Sequence, residues 1–189
     1  PYVYIAEGLY TPDDFDITVD PTTGANSYTL KSHLPKPAAN VMPGDIKYKD
    51  LNKDGSINGD DRTRDNDLYS QTPEIVYGFG LNAEWKGWFV GVFFQGVAHT
   101  STNLMASYGN IMPFLIGFDK GSARTMLNDR WRPEDPYNQN VLFPRMHSSA
   151  FVHNTEYAST WWYRDGGFLR LKNVEIGYEF NKKKLSKYK

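Results

Sequence analysis

The stretch EIVYGFGLNAEWKGWFVGVFFQGVA, residues 74–98, carries the clearest pattern in the chain. In its first half, apolar and mostly aromatic side chains occupy every second position, and the second half repeats that alternation. A period of two residues is typical of a β-strand with one apolar face. Lys86-Gly87 between the halves fits a two-residue hairpin turn, because glycine readily adopts a positive φ. The sequence therefore predicts antiparallel strands at 74–85 and 88–98.

One face of this hairpin is predicted to be continuously apolar and to end in two paired tryptophans. Each strand has about eleven residues, the length that a tilted strand needs to cross a bilayer. Tryptophan also suits the boundary between lipid and water. On this pattern alone, a soluble β-sandwich that buries the same face remains an equal alternative. The predicted apolar face carries Ile75, Tyr77, Phe79, Leu81, Ala83, Trp85, Trp88, Val90, Val92 and Phe94.

Two further strands are predicted, at 2–10 and 168–180, with long loops at 11–72 and 99–167. In the strand 168–180, Val174, Ile176, Tyr178 and Phe180 share one face, and Glu175 and Glu179 lie opposite, where a wet surface suits them. Strict alternation places Arg170 and Lys172 at the start of the apolar face. Long and short connections alternate along the chain, as in outer-membrane barrels. This favours an all-β, antiparallel transmembrane β-barrel segment over the sandwich.

Two features of the long loops invite interpretation. A short amphipathic helix is predicted at about 119–131, because Ala123, Met126, Leu127, Arg130 and Trp131 have helical spacing behind Asp119 or Ser122 as a possible N-cap.

Trp131–Pro136 and Trp161–Asp165 combine aromatic and polar side chains in a way that suits sugar or peptide capture. Packing of the loops through these aromatic side chains explains both motifs equally well.

The segment DLNKDGSINGDD, residues 50–61, follows the spacing of an EF-hand calcium loop. Oxygen-bearing side chains stand at loop positions 1, 3 and 5, glycine stands at 6, Ile57 at 8, and a carboxylate closes the loop at 12. The aspartate at position 12 has a shorter side chain than the usual glutamate. A solvated Asp/Asn/Gly turn is the alternative. The predicted ligands of a structural Ca²⁺ are Asp50, Asn52, Asp54, Ser56, Asn58 and Asp61.

Composition excludes several classes of function. The 189 residues carry a net charge of −1, so no strong field favours nucleic acid, and the absence of cysteine excludes disulfides and thiolate chemistry. No apolar run reaches the roughly 18 residues of a transmembrane helix. The nucleophile-elbow, zinc-protease and phosphate-loop motifs are absent, and the four histidines show no ligand spacing, so no enzyme is predicted. Both ends of the chain are interpreted as cuts within a longer protein.

Several stretches, in their order along the chain, resemble the SusC/RagA family of TonB-dependent outer-membrane transporters. A Trp-x-Pro-Glu-x-Pro element at 131–136 stands where that family has one. The resemblance spans nearly the whole chain, and the order of the stretches is more specific than any single motif. The stretches are Tyr4–Gly8, Pro43–Gly55 continuing through Asp61-Arg62, Tyr77–Asn82 continuing through Trp85–Gly87 to Val92–Gly96, and Asp165–Tyr178.

The resemblance implies a segment of a large barrel that imports oligosaccharides or peptides beneath a lipoprotein lid resembling SusD. TonB would supply the energy through a plug and a TonB-box region that this chain lacks. The implied location is the outer membrane of a Gram-negative, Bacteroidetes-like bacterium, in contact with its lipid. The remaining alternative is a secreted, calcium-stiffened β-sandwich that binds carbohydrate.

Overall fold

The computed structural model describes residues 1–65, 67–104, 125–147, 152–155 and 157–180. These residues are mostly β-structure, as the sequence predicts, with one short α-helix, α1 (Val152–Thr155), among them. Thirteen strands are present in these ranges. They are β1 (Tyr2–Tyr4), β2 (Ala6–Leu9), β3 (Phe15–Val19), β4 (Asn26–Leu30), β5 (Lys36–Pro37), β6 (Ile46–Tyr48), β7 (Ser56–Ile57), β8 (Arg62–Arg64), β9 (Ile75–Trp85), β10 (Trp88–Ala98), β11 (Ser101–Asn103), β12 (Tyr163–Asp165) and β13 (Phe168–Tyr178).

The chain divides into two compact units. The loop unit comprises Pro1–Asn66 and Asn103–Tyr163, and the sheet unit comprises Asp67–Thr102 and Arg164–Lys189. No helix in the described part of the chain combines the length and the apolar character needed to cross a membrane.

The sheet unit contains one antiparallel sheet with the strand order β13-β10-β9. Its strands lie where the sequence predicts them, and each has eleven residues. Trp85 pairs with Trp88 across the turn, where Lys86 and Gly87 have φ angles of 49° and 89°. Two successive positive φ angles match the twist of the flanking strands, which explains the tight turn.

The loop unit contains the buried core, although the sequence predicts most of it as loop. Six short strands, β3 to β8, lie within the predicted loop 11–72. The predicted strand 2–10 is divided into β1 and β2, which pair with β8 and β6 and not with the long strands. The main hydrophobic cluster consists of Tyr4, Leu9, Ile46, Tyr48, Ile57, Leu127, Trp131, Phe143 and Trp162.

The predicted helix at 119–131 is wrong for the residues that the structure describes. Thr125–Asn128 forms a single turn of 3-10 helix, and the following residues are not helical. Residues 119–124 lie outside the described ranges. Trp131 is buried because its ring packs directly over Gly44, and its backbone pairs with Phe143. The periodicity of the apolar side chains here reflects contacts with a core, which an irregular segment makes as readily as a helix.

Candidate functional site

The first candidate site is the apolar face of the three-stranded sheet. Cross-strand rows place Leu81, Val92 and Val174 side by side, and the next row toward the turn contains Ala83, Val90 and Ile176. Leu81 is 68% exposed and Ile176 is 71% exposed. A continuous apolar face of this extent is unusual on a water-facing surface and marks a contact with another apolar phase or partner.

Aromatic side chains border this face at the turn end. The rings of Trp88 and Tyr178 lie 5.1 Å apart, and the Lys86 ammonium lies 4.6 Å from the ring centre of Trp85. Trp85 is 70% exposed. Amphipathic rings beside a cation are typical of a level where an apolar phase meets polar headgroups.

The opposite face of the sheet mixes polar side chains and glycines with the aromatic rings of Phe89 and Phe93. Glu175 lies across from Gly91, and Asn82 flanks Gly91 on the other side. A Cβ atom at Gly177 would lie 2.2 Å from the ring of Phe89, so the ring covers the glycine backbone. The carboxylates and amides of this face are compatible with water, although the face also exposes Phe93.

A β-bulge corrects the predicted positions of Arg170 and Lys172. The register between β10 and β13 shifts between Phe93 and Phe94, whose partners are Asn173 and Leu171, and Lys172 is the extra residue. Leu171 and Leu169 therefore continue the apolar face, while Arg170 pairs with Gln95 on the polar face. The prediction was wrong because one inserted residue exchanges the two faces of a strand.

The second candidate site is the predicted calcium loop at residues 50–61. Asp50 accepts hydrogen bonds from the backbone N–H groups of Lys53 and Gly55, at 2.6 and 2.8 Å. Asp54 accepts from Asn52 Nδ2 and from the backbone N–H of Ser56, and these bonds lower the pKa of Asp54. The three side chains at positions 1, 3 and 5 thus lie in one exposed turn with their oxygens arranged by the backbone.

Asn58 and Asp61, at the end of that loop, bind the backbone of the loop and its following turn. Asp61 is completely buried and accepts from the N–H groups of Leu51 and Asn58, which closes the loop onto itself. Asn58 caps the short 3-10 turn Gly59–Asp61. Within the described ranges, no group of three or more His, Asp or Glu side chains is arranged to hold a metal. A calcium site would therefore depend on amide and backbone oxygens as well, and it stays a prediction.

Sequence reasoning missed a polar centre around Asp45 in the loop unit. Asp45 is fully buried and accepts hydrogen bonds from Arg145 (3.1 and 2.9 Å), His147 (2.9 Å), Asn154 (2.9 Å) and the backbone of Met42 (2.8 Å). Burial raises the pKa of Asp45, but the bonds from His147 and Arg145 outweigh that effect and lower it. The centre joins a turn before β6 to segments about a hundred residues later, so it holds the loop unit together.

In the part of the chain that the structure describes, the tryptophans of both motifs pack the loops together. Trp131 and Trp162 are buried, and the indole of Trp162 donates to the backbone oxygen of Asn154 at 2.8 Å. Trp161 is partly buried and donates to Leu142 at 3.1 Å. Burial of these indoles leaves little aromatic surface for a sugar ring, so the packing interpretation of both motifs is confirmed.

The curated relatives of this chain are TonB-dependent receptors, a class of transporters and not of enzymes, so the predicted resemblance to TonB-dependent receptors is confirmed. Two of them come from Formosa agariphila. TonB-dependent receptor P26 is 26% identical over 137 residues, which cover 71% of this chain and 12% of the relative. TonB-dependent receptor P3 is 28% identical over 146 residues, which cover 77% of this chain and 13% of the relative.

The chain thus spans about an eighth of the length of these relatives. No protein-family model matches it. Among solved structures, the RagAB peptide importer in the "open-open" state is similar to this chain, with a TM-score of 0.47 and 17% sequence identity. The match covers 94% of this chain and 15% of the matched chain of that structure.

Proposed function

We propose that this chain is a segment of an outer-membrane, TonB-dependent nutrient importer of the SusC/RagA type, and that β9, β10 and β13 form part of the wall of its barrel. The observation that carries the proposal is the exposed apolar face of the sheet, bordered by Trp85 and Trp88. Eleven residues at about 3.3 Å each, tilted by about 45°, span about 26 Å, which matches the apolar band of roughly 25 Å on outer-membrane barrels.

The two faces of the sheet would contact different surroundings in such a wall, lipid on one side and the lumen on the other. Lipid replaces water on the apolar face at little cost, whereas Glu175 and Asn82 on the other face need a wet lumen. The outer edges of β9 and β13 have no strand beside them in the described ranges, as expected for a piece of a closed barrel. The secreted β-sandwich is disfavoured because it would bury Trp85 and Trp88, which are exposed.

If the sheet is part of the barrel wall, the loop unit and the partners of the importer can be assigned as well. The loop unit would lie outside the membrane, in the outer membrane of a Gram-negative, Bacteroidetes-like bacterium, and would meet an oligosaccharide or peptide substrate and a surface lipoprotein resembling SusD. TonB would act through parts of the importer that this chain does not contain. The chain itself would act passively, as wall and external surface, with no catalytic step and no nucleic-acid partner.

Site-specific fluorescence tests the orientation of the wall. Because the chain lacks cysteine, single cysteines at Leu81 and at its neighbour Asn82 can be labelled with an environment-sensitive dye in the full importer, after removal of any cysteines elsewhere. We expect spin-labelled lipid to quench the dye at position 81 and aqueous iodide to quench it at position 82. Equal quenching by both agents at both positions would contradict a membrane wall.

We also propose that the loop 50–61 binds Ca²⁺ and stiffens the loop unit. The donor set contains only oxygen, as Ca²⁺ prefers, and hydrogen bonds already orient Asp50 and Asp54. The ligands would be Asp50, Asn52, Asp54, Ser56 through its carbonyl, Asn58 and Asp61. Asn58 Nδ2 lies 3.3 Å from Asp54 Oδ2, whereas Asp61 would have to release a backbone hydrogen bond to reach the ion. Ile57, at position 8 of this loop, is buried in the main hydrophobic cluster, so ion binding would act on the packing of the loop unit.

Titration calorimetry with Ca²⁺ tests the metal separately from the barrel. We expect binding heat from the wild-type chain and its loss in Asp54→Ala, because position 5 contributes a direct ligand in this spacing. Asp60→Ala is the matched control, since Asp60 is an exposed carboxylate of the same loop outside the ligand positions. Equal heats from wild type and Asp54→Ala would remove calcium from the proposal.

A further inference from the structure

The sequence contains one Asn-Gly pair, Asn58-Gly59, and the pair lies in the loop 50–61. Asparagine is chemically labile, because the backbone nitrogen of the next residue can attack its side-chain carbonyl carbon. Glycine permits this attack best, since it places no side chain beside the attacking nitrogen. Gly59 is exposed, and a Cβ atom there would lie 3.9 Å from Nη2 of Arg62. The described part of the chain therefore leaves room at Gly59.

The turn at Asn58 brings the reacting atoms together. Asn58 Oδ1 accepts a hydrogen bond from the backbone N–H of Asp60 at 2.8 Å. This bond closes a small ring that contains both the Gly59 nitrogen and the side-chain carbonyl carbon Cγ of Asn58. The ψ angle of Asn58 is −169°, which places the Gly59 nitrogen gauche to the Asn58 Cβ. The folded loop thus holds the nucleophile near the electrophile, as a fast intramolecular attack requires.

Asn52 provides an internal comparison in the same loop. Its Oδ1 accepts a hydrogen bond from the backbone N–H of Asp54 at 3.0 Å, so it forms the same kind of turn. The residue after Asn52 is Lys53, whose side chain is attached beside the nitrogen that would attack. The two asparagines share the turn and differ in the residue that follows, so the chemistry selects Asn58.

We propose that Asn58-Gly59 is a site of self-modification by deamidation. The bond between the Gly59 nitrogen and Cγ of Asn58 forms, and the bond between Cγ and Nδ2 breaks. Nδ2 leaves as ammonia, with the proton that the Gly59 nitrogen gives up. Water then opens the resulting cyclic imide. Opening at Cγ gives aspartate, and opening at the main-chain carbonyl carbon gives isoaspartate. The reaction consumes water alone, and either product adds one carboxylate to the loop.

The new carboxylate changes the electrostatics of the loop. Asn58 Nδ2 donates to Asp54 Oδ2 at 3.3 Å, and the aspartate product replaces this donor with a second negative charge. Two adjacent carboxylates repel each other, and a bound cation relieves that repulsion. Asn58 is position 9 of the proposed calcium loop, where an added ligand charge raises the affinity for Ca²⁺. This consequence rests on the proposed calcium site, whereas the deamidation itself does not.

Peptide mass spectrometry of the purified full importer, incubated in mildly alkaline buffer, measures the reaction. Trypsin cuts after Lys53, so Asn52 and Asn58 fall in different peptides. We expect conversion of the amide to a carboxylate at Asn58, at least about tenfold faster than at Asn52. Gly59→Ala is the matched variant, because a methyl group fits beside Arg62, and it should slow the reaction at Asn58 by about tenfold. Equal rates at the two asparagines, or an unchanged rate in Gly59→Ala, would overturn the proposal.

Calorimetry with Ca²⁺ on Asn58→Asp tests the consequence for the metal, because this variant reproduces the aspartate product. We expect its affinity for Ca²⁺ to exceed that of wild type by about fivefold, since the loop gains a charged ligand. An affinity no higher than that of wild type would overturn this consequence. If neither protein binds Ca²⁺, the proposed calcium site fails and the consequence fails with it, whereas the mass spectra decide the deamidation independently.

Discussion

Replacing Leu81 with arginine is expected to destabilise the proposed importer strongly in the outer membrane. Leu81 lies near the middle of β9, where it pairs with Val92 on the apolar face of the sheet, and its side chain is largely exposed. A charged side chain at the lipid-facing midplane of a barrel costs about 2–4 kcal/mol. Total stabilities of about 5–15 kcal/mol leave little margin for such a loss.

The neighbouring residue provides the control. Asn82→Arg places the same charge on the polar face, where water solvates it, and is expected to change stability by less than about 1 kcal/mol. Trp85→Arg, at the turn end of the same apolar face, should cost only about 0–1 kcal/mol, because the penalty decreases toward the interface. Urea unfolding of the three variants in lipid vesicles measures these differences. Equal destabilisation by Leu81→Arg and Asn82→Arg would contradict the assignment of the two faces.

The sheet was predictable from sequence because its signal is local and repeated. Eleven alternating residues in β9 and again in β10 leave one interpretation for which side chains share a face. The same rule failed at the start of β13, because one extra residue at Lys172 reverses the alternation and no local pattern marks it. Strict alternation places Arg170 on the apolar face, and the bulge moves it to the opposite face beside Gln95.

The core of the loop unit was not predictable in the same way. Strands such as β5, β6 and β7 have two or three residues, too few to show any period. The strands pair with distant segments, as β1 does with β8. Asp45 is the extreme case, since Arg145 and His147 are separated from it by 100 and 102 positions. A buried aspartate surrounded by turn residues looks like any solvated turn in the sequence.

The Asp45 centre leads to the second large effect, the destabilisation of the loop unit by Asp45→Ala. The substitution leaves the buried amide of Asn154 and the partly buried guanidinium of Arg145 without their carboxylate acceptor. Breaking a buried ion pair by removing one partner typically costs about 3–5 kcal/mol. Lys47→Ala breaks the more exposed pair between Lys47 and Asp14 and should cost at most about 1 kcal/mol.

The pH dependence gives an independent check of the Asp45 centre. The pKa of Asp45 is lowered from 3.8, so its contribution to the free energy of unfolding is full above that value and is lost as the pH falls through the lower folded value. Burial also lowers the pKa of His153 from 6.5. Protonation of His153 therefore favours the unfolded chain, and wild-type stability should begin to fall below about pH 6.5.

Urea titrations of the chain from pH 8 to pH 3, followed by near-ultraviolet circular dichroism, separate the two contributions. In Asp45→Ala the decline below about pH 4 should be smaller than in wild type, because the carboxylate that titrates there is gone. The decline that begins near pH 6.5 should persist, since His153 keeps its buried position, where its Nε2 donates to the backbone oxygen of Ile46. A loss of no more than 1 kcal/mol at pH 7, similar to that of Lys47→Ala, would show that Asp45 does not hold the loop unit together. We therefore expect Asp45→Ala to lower the free energy of unfolding more than Lys47→Ala does. Only the removal of the buried carboxylate leaves desolvated hydrogen-bond donors without an acceptor.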